Sequence, residues 1–393
     1  MSEKIPKGWK WVKLGELLNS GLFELLDRYR IPLSDNQRNK MKDGILYPYY
    51  GANGIIDYVN RYIFDGEFIL VAEDGTVSTD KGKPVVQYVC GKFWVSNHAH
   101  VIKCENSITL KFLYYALKNV DIIPYITGAV QPKLNQRNLL DIEILYALDI
   151  NEQKAIAEVL SSIDDKIDLL HRQNKTLEEM AMTLFRQWFI EPTKDGLPEG
   201  WEEVELSKLG QIICGKTPSK NKPEYFGGKI PFIKIPDMHG NVFVFKTEDS
   251  LSEIGAKTQK NKTLPERSIC VSCIATVGLV SMNAFISQTN QQINSIIPYK
   301  EFYHYFLYLK MKSMKEELIA MASGGTATLN LNTTEFSKIK IEIPKEDYLH
   351  AFHEKIKYIF EKIFINTIQI QTLEKLRDTL LPKLMSGEVR VKF

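Results

Sequence analysis

The chain repeats its own sequence once. Three stretches recur in the same order: "PKGWKWVKL" (6–14) as "PEGWEEVEL" (198–206), "GAVQPKLNQRNLLDIEI" (128–144) as "GTATLNLNTTEFSKIKI" (325–341), and "TLEEMAMTLF" (176–185) as "TLEKLRDTLL" (372–381). The offsets are 192, 197 and 196 residues, close to half of the 393-residue length. Because a repeated sequence specifies a repeated structure, we predict a tandem duplication with two equivalent halves.

Each half divides into two parts. Short β-type runs broken by glycine, such as "GEFILVAEDG" and "SICVSCIATVGLVSM", come first together with one short helical piece, and a single long helical segment follows. The predicted fold class is α+β. We expect a first globular domain at 1–150, a first long helix at 151–192, a second globular domain at 193–344, and a second long helix with the C-terminal tail at 345–393.

The two long segments carry matching apolar seams with spacings of three and four residues, which is typical of a coiled coil. The first seam is Ile156, Leu160, Ile163, Ile167, Leu170, Asn174, Leu177, Ala181, Leu184 and Trp188. An offset of 196 gives the second seam, which is Phe352, Ile356, Ile359, Ile363, Asn366, Ile370, Leu373, Arg377, Leu380 and Leu384. Arg377 interrupts the second seam, so we expect it either to extend out of the core by its stem or to meet an acidic partner.

Matching length and register favour pairing of the two helices over two separate amphipathic helices, each packed on its own domain. Equivalent halves favour pseudo-twofold symmetry, which makes such a pair antiparallel and places the globular domains at opposite ends. The first seam extends over 32 residues, or about 48 Å at the helical rise. Between two DNA-binding modules, this length would set the separation of two half-sites.

Composition and charge exclude some classes of protein. With 44% hydrophobic and 25% charged residues, no apolar run reaches membrane-spanning length, and no secretory signal precedes the first domain, so we expect a cytoplasmic protein. The five cysteines are too few for a disulfide framework, and "CVSC" (270–273) is expected to be buried in a strand. His98 and His100 lack an obvious third ligand, so we predict no metal site. The net charge of +2 neither favours nor excludes nucleic acid.

The stretch "GQIICGKTP" (210–218) fits the phosphate-loop pattern G-x-x-x-x-G-K-[ST]. A phosphate loop needs a buried apolar strand before it and a helix that begins at the Lys-Thr pair. Upstream the chain is rich in charge, and downstream "PSKNKPEYFGGKIP" has too many prolines and glycines for a helix. A nucleotide-hydrolysing enzyme is therefore disfavoured.

Several long motifs resemble one family. "NEQKAIAEVLSSIDDKIDLLHRQNKTLE", "LFRQWFIEP" and "LLPKLMSGEVRV" resemble the two conserved helical regions of specificity subunits from type I restriction-modification systems. "GKTPSKNKPEYFGGKIPFIKIPDM" and "YPYYGANGIIDYVNRYIFDGEFILVAEDG" resemble two different classes of target recognition domain in these subunits. The resemblance covers essentially the whole chain, although the second helix begins "PKEDYLHAFHEK" without the Glu-Gln pair of the first.

This resemblance implies a chain that catalyses nothing. It implies binding of an asymmetric, bipartite site on double-stranded DNA, and docking of two modification subunits and of restriction subunits. The modification subunits transfer methyl from S-adenosylmethionine to adenine N6, while ATP and Mg²⁺ belong to the partner subunits. No [ND]-P-P-[FY] tetrapeptide and no G-x-G-x-x-G occur in this chain, which agrees with a non-catalytic role. The rival interpretation is a stand-alone bipartite DNA-binding regulator.

Lysine and arginine suit phosphates, while amides, hydroxyls and arginine suit base edges. In the second half, the candidates are Lys216, Thr217, Ser219, Lys220, Asn221, Lys222, Gln288, Asn290, Gln291, Gln292, Thr326, Thr328 and Asn330. In the first half, they are Tyr49, Asn53, Ser96, Asn97, His98, Gln131, Lys133, Asn135 and Arg137. The alternatives stay open here: the lysine loop could be a solvated surface loop, the alternating segments could be edge strands, and we expect at least one tyrosine among Tyr47, Tyr49 and Tyr50 to be core.

Overall fold

The structure is a computed structural model that describes residues 5–128, 130–323 and 329–392. It separates into two compact units, one formed by residues 1–167 and 372–393 and the other by residues 168–371. The division falls inside both long helices, so each unit contains one globular domain and a part of each helix. Within the described ranges, no helix combines the length and apolar character that crossing a bilayer requires.

The first unit is built on a six-stranded sheet. The strands of the unit are β1 (Trp9–Lys13), β2 (Phe23–Leu25), β3 (Tyr47–Gly51), β4 (Gly54–Val59), β5 (Phe64–Ala72), β6 (Val86–Val95), β7 (Ala99–Cys104) and β8 (Glu143–Ala147). The sheet has the order β2-β7-β5-β6-β3-β4, with only β3 and β6 parallel, and β1 pairs with β8 separately. The short helices are α1 (Leu14–Asn19), α2 (Asp35–Asn39), α3 (Ser107–Asn119) and α4 (Gln136–Asp141).

Strand β5 lies at the centre of this sheet and explains its stability. Ile69, Leu70 and Val71 are fully buried, because one face of the strand packs on α3 and the other on a separate aromatic cluster around Phe93. A strand that is covered on both faces needs a continuous apolar run rather than an alternating one, and "FILVA" supplies it. The sheet therefore holds the loops at its ends on a rigid frame.

The second unit repeats this plan with more sheets. Its strands are β9 (Glu202–Glu205), β10 (Gly210–Cys214), β11 (Phe226–Ile233), β12 (Phe243–Val244), β13 (Asp249–Leu251), β14 (Ile269–Ser272), β15 (Val280–Asn283), β16 (Gln288–Thr289), β17 (Ile293–Pro298) and β18 (Lys340–Ile343). They form sheets of order β10-β17-β14-β15-β12, β13-β11-β16 and β18-β9. The short helices are α6 (Ile235–Met238), α7 (Glu253–Lys257), α8 (Tyr303–Ser313), α9 (Lys315–Ala322) and α10 (Thr333–Ser337).

The repeated markers form the same elements in both units, which confirms the duplication. The paired strands β1 and β8 of the first unit correspond to β9 and β18 of the second. The antiparallel pair β2 and β7 corresponds to β10 and β17, and α4 corresponds to α10. Asn135 caps α4 by accepting from the Asn138 amide, and Asn332 caps α10 by accepting from the Glu335 amide.

Two long helices provide the remaining framework: α5 (Ile150–Phe185), followed by the π-helical turn Arg186–Ile190, and α11 (Glu346–Met385). In the first unit, the beginning of α5 packs with the end of α11, since Leu160 and Leu384 share one buried core. In the second unit, the end of α5 meets the beginning of α11, where the Phe185 and Phe352 ring centroids are 6.3 Å apart. Within each unit the two helices therefore run antiparallel, as predicted.

The seam residues are buried along most of both helices, with one shift of register. Ile156, Leu160, Ile163, Ile167 and Leu170 are buried on α5, and Phe352, Ile356, Ile363 and Ile370 on α11. Ala181 and Leu384 are also buried, while Leu177, Leu184, Trp188, Leu373 and Leu380 are half-buried.

Ile359 was predicted in the seam, but its neighbour Phe360 is the fully buried residue and Ile359 is only half-buried. The reason is that α11 also faces its own domain, where Phe360 stacks on Tyr305 with ring centroids 4.3 Å apart.

Polar side chains in or beside the seams form hydrogen bonds between α5 and α11. Arg377 donates to Asp164 of α5 at 2.9 Å, and Asp164 also accepts from the Tyr115 hydroxyl at 2.9 Å, so the acidic-partner alternative for Arg377 is the one observed. In the second unit, fully buried Asn366 donates to the side-chain oxygen of Asn174 at 2.9 Å. Each pair matches one position on α5 to one on α11, which defines the register of the helices.

The C-terminal tail belongs to the first unit. Arg390 Nε lies 2.6 Å from the carboxylate of buried Glu152, which stands at the beginning of α5. The same carboxylate accepts from Trp9 Nε1 at 3.1 Å. The tail thus supplies the counter-charge for an acidic group that the core would otherwise have to bury alone.

Candidate nucleic-acid interface

In the first unit, three loop segments meet at one end of the central sheet. They are the turn after β5, the turn between β6 and β7, and the segment before α4. The Glu73 amide donates to the His98 carbonyl at 2.8 Å, and the Leu134 amide donates to the Glu73 carbonyl at 2.8 Å. Asp74 and Lys133 form an isolated β-bridge. We call this surface the first-unit face; it consists of residues 73–76, 97–98 and 131–135.

The second unit contains the same arrangement. The Cys273 amide donates to the Gln292 carbonyl at 2.8 Å, and the Leu331 amide donates to the Cys273 carbonyl at 2.9 Å. Ile274 and Asn330 form the matching isolated bridge. We call this surface the second-unit face; its described residues are 215–217, 273–276, 291–292 and 329–331.

These hydrogen bonds fix which residues of the two faces are equivalent. His98 takes the place of Gln292 and Asn97 that of Gln291, at an offset of 194 residues. At one of these two positions the halves thus present different side chains, the imidazole of His98 in the first unit and the amide of Gln292 in the second, on the same backbone framework. Different side chains on one framework are suited to reading different bases.

Both faces contain a turn that sequence inspection did not single out. Gly75 has a φ of 73° and Ala275 a φ of 63°, which places both in the left-handed region. The next residue of each turn, Thr76 or Thr276, is exposed. A signal for this turn exists in "EDGTV" (73–77) and "CIATV" (273–277), which match at an offset of 200. An alanine held at positive φ is uncommon and marks a constrained backbone.

The phosphate-loop pattern is incompatible with the observed backbone. Residues 210–214 of the pattern form β10, the Lys216 amide donates to the Thr289 carbonyl at 2.9 Å, and the Thr217 hydroxyl donates to Gln291 Oε1 at 2.7 Å. A Cβ at Gly215 would collide with Thr289 and Asn290, so this glycine allows two backbone segments to touch. The amides that would cradle a phosphate are therefore used within the fold.

Instead, this loop presents positive charge beside the second-unit face. Lys216, Lys220 and Lys222 are exposed, as are Ser219 and Asn221. The Lys222 ammonium lies 5.3 Å from the Tyr225 ring centroid, and its hydrogen bond to Tyr225 raises the pKa of Lys222. Exposed ammonium groups next to amide side chains are typical of a surface that binds phosphate while side chains reach bases.

Two of the predicted amides serve the fold instead. Gln288 is fully buried, where its amide nitrogen donates to the Ala256 carbonyl at 3.0 Å and to Thr263 Oγ1 at 2.9 Å. Asn290 is also buried and donates to Gln292 at 2.9 Å. The prediction that these amides face DNA must be corrected, because their hydrogen-bonding groups point into the protein. Gln291 is exposed and Gln292 is half-buried on the face itself.

Two predicted residues of the first half are also buried. Ser96 accepts from the His98 amide at 3.3 Å and so supports the turn, while Tyr49 accepts from the Leu33 amide at 2.9 Å in the core. Both predictions need the same correction, and Tyr49 is the expected core tyrosine. Asn135 is half-buried, and its side-chain oxygen is used to cap α4.

The remaining candidates divide by location. Asn97, His98, Gln131 and Lys133 are exposed on the first-unit face, Asn330 is exposed on the second-unit face, and Arg137 is exposed on α4. Asn53 is exposed on the separate turn between β3 and β4. Thr326 and Thr328 lie outside the described residues.

The first-unit face rests on a cluster of charges. Among the described residues, Asp27, Glu73 and His100 bring their ligand atoms within 4.8 Å of one another. However, Arg30 donates to Glu73 at 2.6 Å, and the two ring nitrogens of His100 lie 2.5 Å from Asp27 and 2.8 Å from the Leu134 carbonyl. An arginine inside the group and a fully engaged imidazole favour a structural ion-pair cluster over a metal centre.

The two thiols of "CVSC" are buried, as predicted. Cys270 lies within β14 and Cys273 directly after it. Burial raises the pKa of each thiol to about 12, so both are protonated at neutral pH and are poor ligands and nucleophiles.

Comparison with known proteins agrees with this architecture. A family model described as the type I restriction modification DNA specificity domain matches twice, at residues 6–179 and 198–377. The chain is 38% identical to the HindI specificity subunit of Haemophilus influenzae, over 75% of this chain and 81% of the relative. It is 30% identical to the MjaIX specificity subunit of Methanocaldococcus jannaschii, over 73% of this chain and 71% of the relative.

A solved structure shares the fold. The type I restriction-modification S subunit from M. genitalium aligns with a TM-score of 0.61 at 17% identity, covering 98% of this chain and 97% of that one. Its likeness agrees with two α+β domains and two long helices in one chain. By sequence and by domain repeat, this chain belongs to the family of type I restriction-modification specificity subunits, the non-catalytic components that contain two DNA-recognition domains.

Proposed function

We propose that this chain recognises an asymmetric, two-part DNA sequence, with one part read by the first-unit face and the other by the second-unit face. The observation that supports this most directly is the matched set of backbone hydrogen bonds on the two faces, which hold different side chains at equivalent positions. Identical faces would read a symmetric site, whereas His98 and Gln292 offer different donors and acceptors.

We propose that affinity and sequence reading are divided among the exposed residues. Lys216, Lys220, Lys222 and Lys133 would neutralise backbone phosphates. Gln291 and Asn97 would contact base edges, since amides can both donate and accept. Thr76 and Thr276, which are exposed on the matched turns, would contact either phosphates or base edges through their hydroxyl groups.

We propose that the long helices bind two modification subunits, and through them the restriction subunits. Support comes from apolar side chains that stay exposed on both helices in the second unit, where Tyr358 is 65% exposed and Ile365 is 57% exposed. Leu169 adds to this surface and lines a cavity of about 460 Å³ together with Arg172 and Lys362. Exposed apolar groups on a helix mark a surface for a protein partner.

On this proposal, S-adenosylmethionine, ATP and Mg²⁺ are bound by the partner subunits, and the assembly works in the cytoplasm. The chain would choose the adenine that is methylated by fixing where the modification subunits sit on DNA. The chain itself would contribute the free energy of DNA binding and the position of the modification subunits along the DNA. It would make or break no covalent bond.

A domain exchange tests the proposal. Residues 1–145 would be replaced by the corresponding residues of a relative with a different specificity, and the hybrid would be co-expressed with the modification subunit. Sequencing of host DNA for N6-methyladenine should show a motif in which one part has changed and the other part and the gap are kept. A change in both parts would contradict independent reading by the two faces.

The same experiment addresses a stand-alone DNA-binding regulator. Such a protein would bind DNA tightly without partners and leave adenines unmethylated in the co-expressing host. Methylation that depends on this chain argues for the specificity role, while tight binding with no methylation and no complex argues for a regulator.

A further inference from the structure

We infer that positions 74 and 274 determine the base preference of the two faces, with Asp74 selecting a base that carries an exocyclic amino group and Ile274 selecting thymine. This inference rests on the proposed function and deepens it. It assigns a chemical role to two residues that occupy the same place in the two units and differ completely in polarity.

The equivalence of the two positions follows from the backbone. Asp74 bridges to Lys133 and Ile274 bridges to Asn330, both as isolated antiparallel bridges. Glu73 precedes the first position: its amide donates to the His98 carbonyl, and its carbonyl accepts from the Leu134 amide. Cys273 precedes the second position and makes the same two hydrogen bonds, with Gln292 and Leu331. The residue after each, Gly75 or Ala275, has positive φ. Both side chains therefore leave the same turn at the same point.

Asp74 is held in a defined orientation on the first-unit face. Its Oδ1 lies 2.7 Å from His98 Nδ1, and its side chain is 20% exposed. Two nearby cations form ion pairs with Glu73: Arg30 lies 2.6 Å and Lys133 lies 3.6 Å from the Glu73 carboxylate. One imidazole hydrogen bond leaves acceptor capacity on a carboxylate, which has about four lone-pair sites.

A carboxylate on a DNA-binding face limits what can lie opposite it. A carboxylate repels phosphates, so an aspartate that faced the DNA backbone would lower the affinity for DNA. On base edges in the major groove, it can accept from cytosine N4 or adenine N6, and the pairing of aspartate or glutamate with cytosine N4 is the established geometry. Guanine O6 and N7 and thymine O4 are acceptors and would repel it. Cytosine is therefore the expected base.

Ile274 provides the opposite chemistry at the equivalent place. Its side chain is half-buried and aliphatic, on a turn whose backbone is held by Leu329 and Leu331. It cannot satisfy an amino group or a carbonyl, and burying either against it costs free energy. The thymine C5-methyl group is the one apolar feature in the major groove, and it suits a contact with Ile274.

The experiment is a comparison of methylation motifs. The wild-type chain, Asp74→Asn and Ile274→Ala would each be co-expressed with the modification subunit, and host DNA would be sequenced for N6-methyladenine. We expect Asp74→Asn to relax one base of one half-site, so that sites with another base there gain methylation by about tenfold or more. Ile274→Ala should relax one base of the other half-site, at a thymine.

Three controls separate the possible causes. The yield of complex should match the wild type for each variant, since both substitutions keep the backbone, and the melting temperature should fall only slightly for Ile274→Ala, which truncates a half-buried side chain. Thr79→Ala, on the exposed continuation of the Asp74 turn, should leave the motif unchanged. His98→Ala should weaken methylation and loosen the Asp74 preference only partly, because His98 orients the carboxylate and does not replace it.

Several outcomes would overturn the inference. They are an unchanged motif for both variants, relaxation of both half-sites by either variant, a guanine at the position that Asp74→Asn affects, or full reproduction of the Asp74→Asn pattern by His98→Ala. The last of these would assign the base to His98. A wild-type chain that yields no split motif would instead refute the proposed function itself, so the two failures are distinguishable.

Discussion

At the scale of single residues, we expect the lysine loop of the second unit (216–222) to contribute to the affinity for DNA and not to the preference for a sequence. Lys216, Lys220 and Lys222 are exposed and not used in the core. Phosphate contacts contribute equally at every sequence and release counterions, so they dominate the salt dependence of binding. Loss of these charges should therefore weaken binding without changing the preferred sequence.

We predict that Lys216→Ala combined with Lys220→Ala and Lys222→Ala lowers the salt dependence of DNA binding by about three in the log-log slope. Affinity should fall by a similar factor on the target and on a scrambled duplex. The measurement is fluorescence anisotropy of the complex with modification subunits, with Lys194→Ala, another exposed lysine, as the matched control. An unchanged slope in the triple variant would remove this loop from the interface.

Two histidines, buried His353 and half-buried His304, make the second unit sensitive to acid. Burial lowers the pKa of His304, whose Nδ1 donates to the Arg267 carbonyl at 2.9 Å. Burial also lowers the pKa of His353, which stacks on Tyr305 with ring centroids 5.4 Å apart. Below the ordinary pKa of 6.5, the unfolded imidazoles take up protons that the buried ones resist. The contribution of these two histidines to stability is therefore fully present above pH 6.5 and is lost as the pH falls below it.

The expected result is a melting temperature that declines between pH 6.5 and pH 5, and a shallower decline for His353→Phe. Phenylalanine keeps the ring stacking and removes the titrating group. Differential scanning calorimetry at several pH values would measure this, with exposed His239→Phe as the control that keeps the wild-type slope. Equal slopes for the wild type and His353→Phe would show that His353 does not contribute.

At the scale of elements, the Asn174–Asn366 pair, which joins a half-buried amide to a fully buried one, sets the register of the helices at the expense of stability. Asn366 is fully buried, and its hydrogen bond to Asn174 joins α5 to α11 within the second unit. A polar pair inside an apolar seam stabilises only the alignment in which both members meet. If the Asn174 amide is removed, fully buried Asn366 keeps an amide donor that has lost its acceptor.

We predict that Asn174→Leu destabilises the second unit by about 1 to 3 kcal/mol, whereas Asn174→Leu combined with Asn366→Leu restores or exceeds the wild-type stability. Urea denaturation followed by circular dichroism would give the midpoints. A single variant as stable as the wild type would show that the pair carries no energetic coupling.

Sequence reasoning predicted the repeat, the α+β class and the helix seams, because each of these depends on patterns that recur over many residues. It failed where local chemistry was ambiguous. Gln288 resembles a DNA-reading amide, yet β16 points it into the core, where it holds α7 and the following turn. Phe360 replaced Ile359 because α11 packs on a domain as well as on α5. Thr76 and Thr276 were not predicted, because the positive φ of the residue before each threonine cannot be inferred from composition.

At the scale of the whole molecule, we propose that two unlike faces on one duplicated chain read two unlike half-sites for partner subunits. Duplication supplies the equivalent frameworks, divergence of a few loop residues supplies the different specificities, and the continuous helices α5 and α11 connect them. No chemistry is required of this chain, which agrees with its membership of the specificity-subunit family.

The most direct test is the methylation pattern of a host that expresses this chain together with its modification subunit. We expect N6-methyladenine in a single split motif, with two different parts and a fixed gap, and its disappearance when either chain is omitted. A symmetric or uninterrupted motif would contradict reading by two unlike faces. A stable complex that methylates at random would contradict the claim that this chain confers specificity.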